Sequence, residues 1–185
     1  MKNIINQLNE IKLNNDENTS SPNQDVLLDI LSANITLLFP SFFNFKHYSQ
    51  EECLSFIEEN LSQQIAVSFQ FHNEEIPKAP QDYVQDYLTL LPSTKEILLT
   101  DIDALYVGDP AAFNKLEVVL TYPGFYAILV YRLAHILFSF GIPYIPRIFT
   151  EHAHSKTGID IHPGARFEER RIGLVKGILR KSELV

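Results

Sequence analysis

Apolar residues recur three and four positions apart along most of the chain, and alternation of the strand type is rare. A stripe with that period fits helices packed on one another and very little else. The runs are separated by proline, glycine and capping patterns, which set the expected helices one by one. Met1 to Leu13 carries Ile4, Ile5, Leu8, Ile11 and Leu13 as an amphipathic helix, and Asn14 to Asn23 reads as a linker. Ser21-Pro22 has the form of an N-cap followed by proline at the first helical position, opening a stripe that ends at Pro40. Ser49-Gln50-Glu51-Glu52 is a capping box before Leu54, Ile57, Leu61 and Ile65. Tyr83 to Leu91 marks a helix stopped at Pro92, and Ser93-Thr94-Lys95-Glu96 opens another that ends at Gly108-Asp109-Pro110. Thr121-Tyr122-Pro123-Gly124 starts the most apolar helix, running to about Phe140, and a last helix spans Tyr144 to Lys156 after Gly141 and Pro143.

The texture changes at Gly158-Ile159-Asp160-Ile161-His162-Pro163-Gly164-Ala165-Arg166-Phe167, where Ile161 and Phe167 stand six apart with small residues between them. That spacing predicts one unit of a hexapeptide β-helix repeat. Such units bury a core only when stacked in coils. The expected fold is mainly α, a multi-helix domain over 1–157, followed by the truncated start of a left-handed parallel β-helix over 158–167. Residues 168–185 form a basic tail: from Arg166 onward the chain carries net +3, against −11 before it. The abrupt shift in charge and period is what a reading-frame change would produce.

Charge and composition exclude several functions. A formal charge of −8 argues against general nucleic-acid binding. Cys53 is the single cysteine, so no intrachain disulfide forms, and a reducing compartment such as the cytoplasm is expected. Residues 1–14 lack the continuous apolar run of a secretory signal. Phe125 to Ile145 is about as long as a membrane span, but Arg132 and His135 near its middle mark it as a buried helix whose polar residues pair with acids or cap neighbours. His152, His154 and His162 match no zinc-ligand spacing.

Three blocks carry a resemblance. They are Asp101-Ile102-Asp103-Ala104 with Gly108-Asp109-Pro110-Ala111-Ala112; Tyr122-Pro123-Gly124-Phe125 with Tyr131-Arg132-Leu133-Ala134-His135; and Thr157-Gly158-Ile159-Asp160-Ile161-His162-Pro163-Gly164-Ala165. In order and spacing they resemble the bacterial serine O-acetyltransferases, closely over about residues 80–166. The resemblance implies an acyltransferase of cysteine biosynthesis that moves acetyl from acetyl-CoA, a co-substrate rather than a tightly bound cofactor, to the L-serine hydroxyl. Asp160 matches the carboxylate that orients the catalytic histidine, and Asp109 matches an aspartate that helps hold the substrate serine. The histidine base belongs to an Asp-His-x-x-Gly motif that these 185 residues do not contain, and the groove for CoA lies in the same missing part, so the chain alone is expected to be inactive. Gly108 stands where many members have arginine. The family implies a homo-oligomer, a dimer of trimers, and a sulfhydrylase partner in its full-length members, with neither nucleic acid nor membrane. An alternative is a non-catalytic helical module that pairs with a complete acetyltransferase. On the family pattern, Ile159 and Ile161 are expected to form an uncovered apolar face.

Overall fold

The computed structural model describes residues 2–11 and 20–166. Seven helices occur among them: α1 (Lys2–Glu10), α2 (Gln24–Leu38), α3 (Gln50–Phe71), α4 (Pro80–Gly108), α5 (Lys115–Thr121), α6 (Pro123–Ser139) and α7 (Ile145–Thr157). No strand occurs among the described residues. The fold is therefore all-α there, and the expected opening of a β-helix over 158–167 is corrected. A lone repeat unit has no second strand to pair with, so the segment 159–166 runs as an irregular stretch against α6, and side chains of that helix bond its backbone carbonyls. Phe167 and the basic tail lie outside the described residues.

α6 is the central beam. Phe125, Leu129, Leu133 and Leu137 along it are at most 1% exposed, and it packs against α4, α5 and α7. Its mean hydropathy is high because most of its residues are buried. Among the described residues no single helix is long and apolar enough to cross a membrane; α5 and α6 reach that threshold only as a pair bent by 75°. α2 and α3 form an antiparallel pair on one side, tied in by polar groups that find partners. Asn34, fully buried on α2, accepts from the Tyr87 hydroxyl at 2.9 Å and donates to the Ile30 carbonyl. Ser68 on α3 donates to the Pro143 carbonyl at 2.6 Å, fastening α3 to the turn between α6 and α7. Cys53 is buried within this core.

The local signals are borne out in part. Ser49 and Glu52 form a reciprocal capping box at the start of α3. At α2 the cap is Asn23, whose side chain accepts from the Val26 N–H, not the Ser21-Pro22 pair. Pro92 does not stop a helix: α4 continues through it from Pro80 to Gly108. Proline leaves the carbonyl four residues back without its helical donor. Here Pro92 lies on the exposed side, between buried Leu91 and Thr94, and the hydroxyls of Ser93 and Thr94 fold back to the Leu90 carbonyl instead of capping a new start. Tyr144, which precedes α7, holds φ +59°, a costly conformation for a residue with a Cβ; its hydroxyl bonds His72 at 2.8 Å and its ring meets Phe71 edge-on.

Candidate active site

Asp109 closes α4. The helix ends as the chain swings into the Gly108-Asp109-Pro110 corner, and the Asp109 carboxylate is gripped from both sides. One oxygen accepts from the Ala111 backbone N–H at 2.9 Å, an Asx-type turn, and the other accepts from the Tyr122 hydroxyl at 2.5 Å. The Tyr122 bond, then the Ala111 bond, hold the Asp109 carboxyl below the usual carboxylate range. The same bond pushes the Tyr122 phenol up to about 12, so at neutral pH the pair is a carboxylate and a neutral hydroxyl. Tyr122 is placed for this because it is also the N-cap of α6, with Pro123 setting the first turn. Between them lies α5, capped by Asn114 on the Glu117 N–H, while the Glu117 carboxylate returns to the Phe113 N–H.

Asp160 sits two residues past the C-cap of α7. Gly158 caps that helix in the left-handed region (φ +70°), where a side chain is strained, and turns the chain back along α6. The Asp160 carboxylate is about half exposed and faces Arg147 at 3.5 Å, and Arg147 also pairs with Glu151 one turn along α7. The neighbouring residues are anchored to the body. Ile159 and Ile161 are each 7% exposed and belong to the core, which corrects the expectation of an uncovered apolar face. Tyr131 donates to the Ala165 carbonyl at 2.5 Å, and His135, one turn further along α6, bonds the Pro163 carbonyl at 2.7 Å. Gly164 lies so close to Phe138 that an added Cβ would stand 2.7 Å from the ring.

Among the described residues Asp109 and Asp160 share no partner: the first belongs to the α4–α6 corner, the second to the α7 side. What joins them is α6, which holds Asp109 through its N-cap and the Asp160 segment through Tyr131 and His135. Arg132, on the same helix, makes a two-pronged pair with Asp101 on α4, both bonds at 3.0 Å, and fixes α6 to the helix that carries Asp109. The expectation that Arg132 and His135 serve as structural partners is borne out. Tyr122 and Tyr131 stand in the blocks that carry the resemblance, but their bonds, like those of Arg147, join residues apart in the chain and had no signal in the sequence. Glu151, His154 and Asp160 each bring one ligand-type atom within 4.8 Å of the others, a different trio from the three histidines, but the Arg147 guanidinium already supplies positive charge to both carboxylates.

A short, partly exposed anion such as Asp109 can receive an ammonium group on its remaining lone pairs. An exposed carboxylate such as Asp160 can accept from an imidazole N–H and stabilise its charged form. No protein-family profile matches the chain. It is 48% identical over 84 residues to the plasmid serine acetyltransferase of Synechococcus elongatus, covering 45% of this chain and 26% of that protein. Against the serine acetyltransferase of Helicobacter pylori it is 47% identical over 74 residues, 37% of this chain and 43% of that one. Among solved structures it is similar to serine acetyltransferase 1 of Entamoeba histolytica in complex with L-cysteine, with a TM-score of 0.60 and 31% identity over 79% of this chain and 52% of that one. The native form of that enzyme matches at 0.60 and 29%, over 88% and 61%. The chain thus spans about half the length of these solved relatives and less than half of the curated ones.

Proposed function

We propose that this chain supplies the helical part and two site carboxylates of a serine O-acetyltransferase, which transfers acetyl from acetyl-CoA to L-serine and yields O-acetylserine for cysteine biosynthesis in the cytoplasm. The observation that carries the reading is Asp109, held ionised by Tyr122 and Ala111 at a corner that lies within one of the sequence blocks resembling serine acetyltransferases. In this reading Asp109 receives the serine ammonium. A histidine takes the proton of the serine hydroxyl, the oxygen attacks the thioester carbonyl, and the C–S bond breaks to release CoA, which the histidine reprotonates. Asp160 orients that histidine and balances its charge. The 185 residues contain no Asp-His-x-x-Gly motif to supply it, so the base and the acetyl-CoA groove come from further polypeptide.

The test joins residues 1–166 to the part of the Synechococcus plasmid enzyme that succeeds its matched segment and measures serine-dependent CoA release. Activity should appear and fall roughly 10²-fold in Asp160→Asn. In Asp109→Asn the loss should fall mainly on serine affinity. An active chimera indifferent to both changes would sink the assignment. A second reading, a non-catalytic module that pairs with a complete acetyltransferase, draws on exposed Val107, Phe113 and Leu116 around the same corner. It predicts co-purification with such an enzyme when the two are expressed together.

A further inference from the structure

α1 contributes none of its described residues to the core of the helical body. It has nine residues, and helices shorter than about 12–15 residues are marginal in water unless an apolar face packs on something. Its apolar stripe is intact and bare: Ile4, Ile5 and Leu8 are 58–61% exposed, and Ile11 just beyond is 78% exposed. The remaining residues of α1 are asparagine, glutamine, glutamate and one lysine, a composition that does not suit an anionic lipid surface.

The body carries a groove of matching character. It has a volume of about 640 Å³ and runs between the start of α2, the end of α3 and the outer side of α7. Leu28, Phe71, Tyr144 and Ile148 supply its apolar wall, with Arg147 and Glu151 at its side. Phe71 and Tyr144 are each 40% exposed, and Tyr144 is kept there in a strained backbone conformation.

We infer that α1 folds back onto its own body and packs Ile4, Ile5 and Leu8 into this groove. The connection decides the occupant. Residues 12–19 can span at most about 29 Å fully extended, and the chain re-enters the body at Ser21 and Pro22, which themselves line the groove. The other bare apolar patch, Val107, Phe113, Leu116 and Leu120 about the α4–α5 corner, includes no residue next to Ser21 and Pro22 in the chain. A tether this short keeps α1 at millimolar effective concentration, so a contact too weak to join two molecules is sufficient within one.

The chain has no tryptophan, which makes the test direct. Ile5→Trp in the full chain should emit at shorter wavelength than free tryptophan and be shielded from acrylamide, at every protein concentration. Adding Ile148→Glu, at a half-buried position that lines the groove, should return the emission to the solvent-exposed value while the far-ultraviolet circular dichroism of the body stays the same. Adding Leu116→Glu instead should leave the emission shifted. Solvent-like emission from Ile5→Trp alone would overturn the inference. So would a shift that grows with protein concentration, which would mean a second copy, or one abolished by Leu116→Glu and not by Ile148→Glu, which would place α1 at the other patch.

Discussion

The bond between Tyr122 and Asp109 is the most consequential contact between two side chains in the candidate site, because it fixes the charge of one while holding the other neutral. In Tyr122→Phe the Asp109 carboxyl should titrate closer to its ordinary value, as read by carbon-13 NMR of the side chain. A carboxyl depressed in the folded state stabilises fully above the unfolded value near 3.9, and that contribution is lost as pH falls through the folded midpoint. Tyr122, raised to about 12, stabilises below pH 10, and its contribution is lost as pH rises through about 12. Both slopes should shrink in the phenylalanine variant; an unmoved Asp109 midpoint would show that Tyr122 does not set it. Arg132 and Asp101 are a different case, with side chains only 14% and 13% exposed. Removing one partner leaves a largely buried charge, so Arg132→Ala should cost about 3 kcal/mol in urea unfolding. Lysine, lacking the two-pronged fork, should recover little of it. A loss within about 0.5 kcal/mol would mean that water replaces the pair.

At the scale of elements, α4 is the instructive one. Ser93-Thr94-Lys95-Glu96 has the composition of a capping box, and Pro92 has the chemistry of a stop, so the sequence offers two local reasons for a break. Both are overruled by Tyr87, Leu91, Leu98 and Ile102, which form one continuous buried stripe across the proline. Local signals are read correctly where nothing opposes them, as at Ser49 and Glu52, and misread where packing of distant residues decides. The seven-residue α5 is illegible for another reason: only Val118 and Val119 are buried, too few to show a period. Asp109 and Asp160 are legible through a resemblance, whereas the bonds that hold them, from Tyr122 and Arg147, each join residues 13 apart in the chain and are recognisable only in three dimensions. Pro92→Ala should stabilise the protein by about 1–2 kcal/mol, a helix-propensity gain partly offset by a freer unfolded chain. Destabilisation in urea would mean that the proline shapes α4 in a way the packing requires. Asn114→Ala should cost about 1 kcal/mol through loss of the α5 cap, and no change would mean that Glu117 alone secures that turn.

For the molecule as a whole, burial is uneven. α6 is mostly buried, yet Phe113 is 84% exposed and Val107 76%, beside a corner that carries a fixed anion. Phe113→Ser should leave thermal stability unchanged within about 0.5 kcal/mol and lower any concentration-dependent association seen by sedimentation velocity; a clear loss of stability would place Phe113 in the monomer's own packing. The mostly buried helix has a further consequence for how such a chain can vary in length. Each residue added to a helix lengthens it by about 1.5 Å and rotates the turns beyond it by about 100°. One residue inserted between Tyr122 and Tyr131 would turn Tyr131, Arg132 and His135 away from Ala165, Asp101 and Pro163 together, however conservative the residue chosen. The 13-residue interval from Tyr122 to His135 is therefore a fixed length, closed to insertion and deletion, while the turn at Gly141 to Tyr144 and the linker before α2 lie outside it.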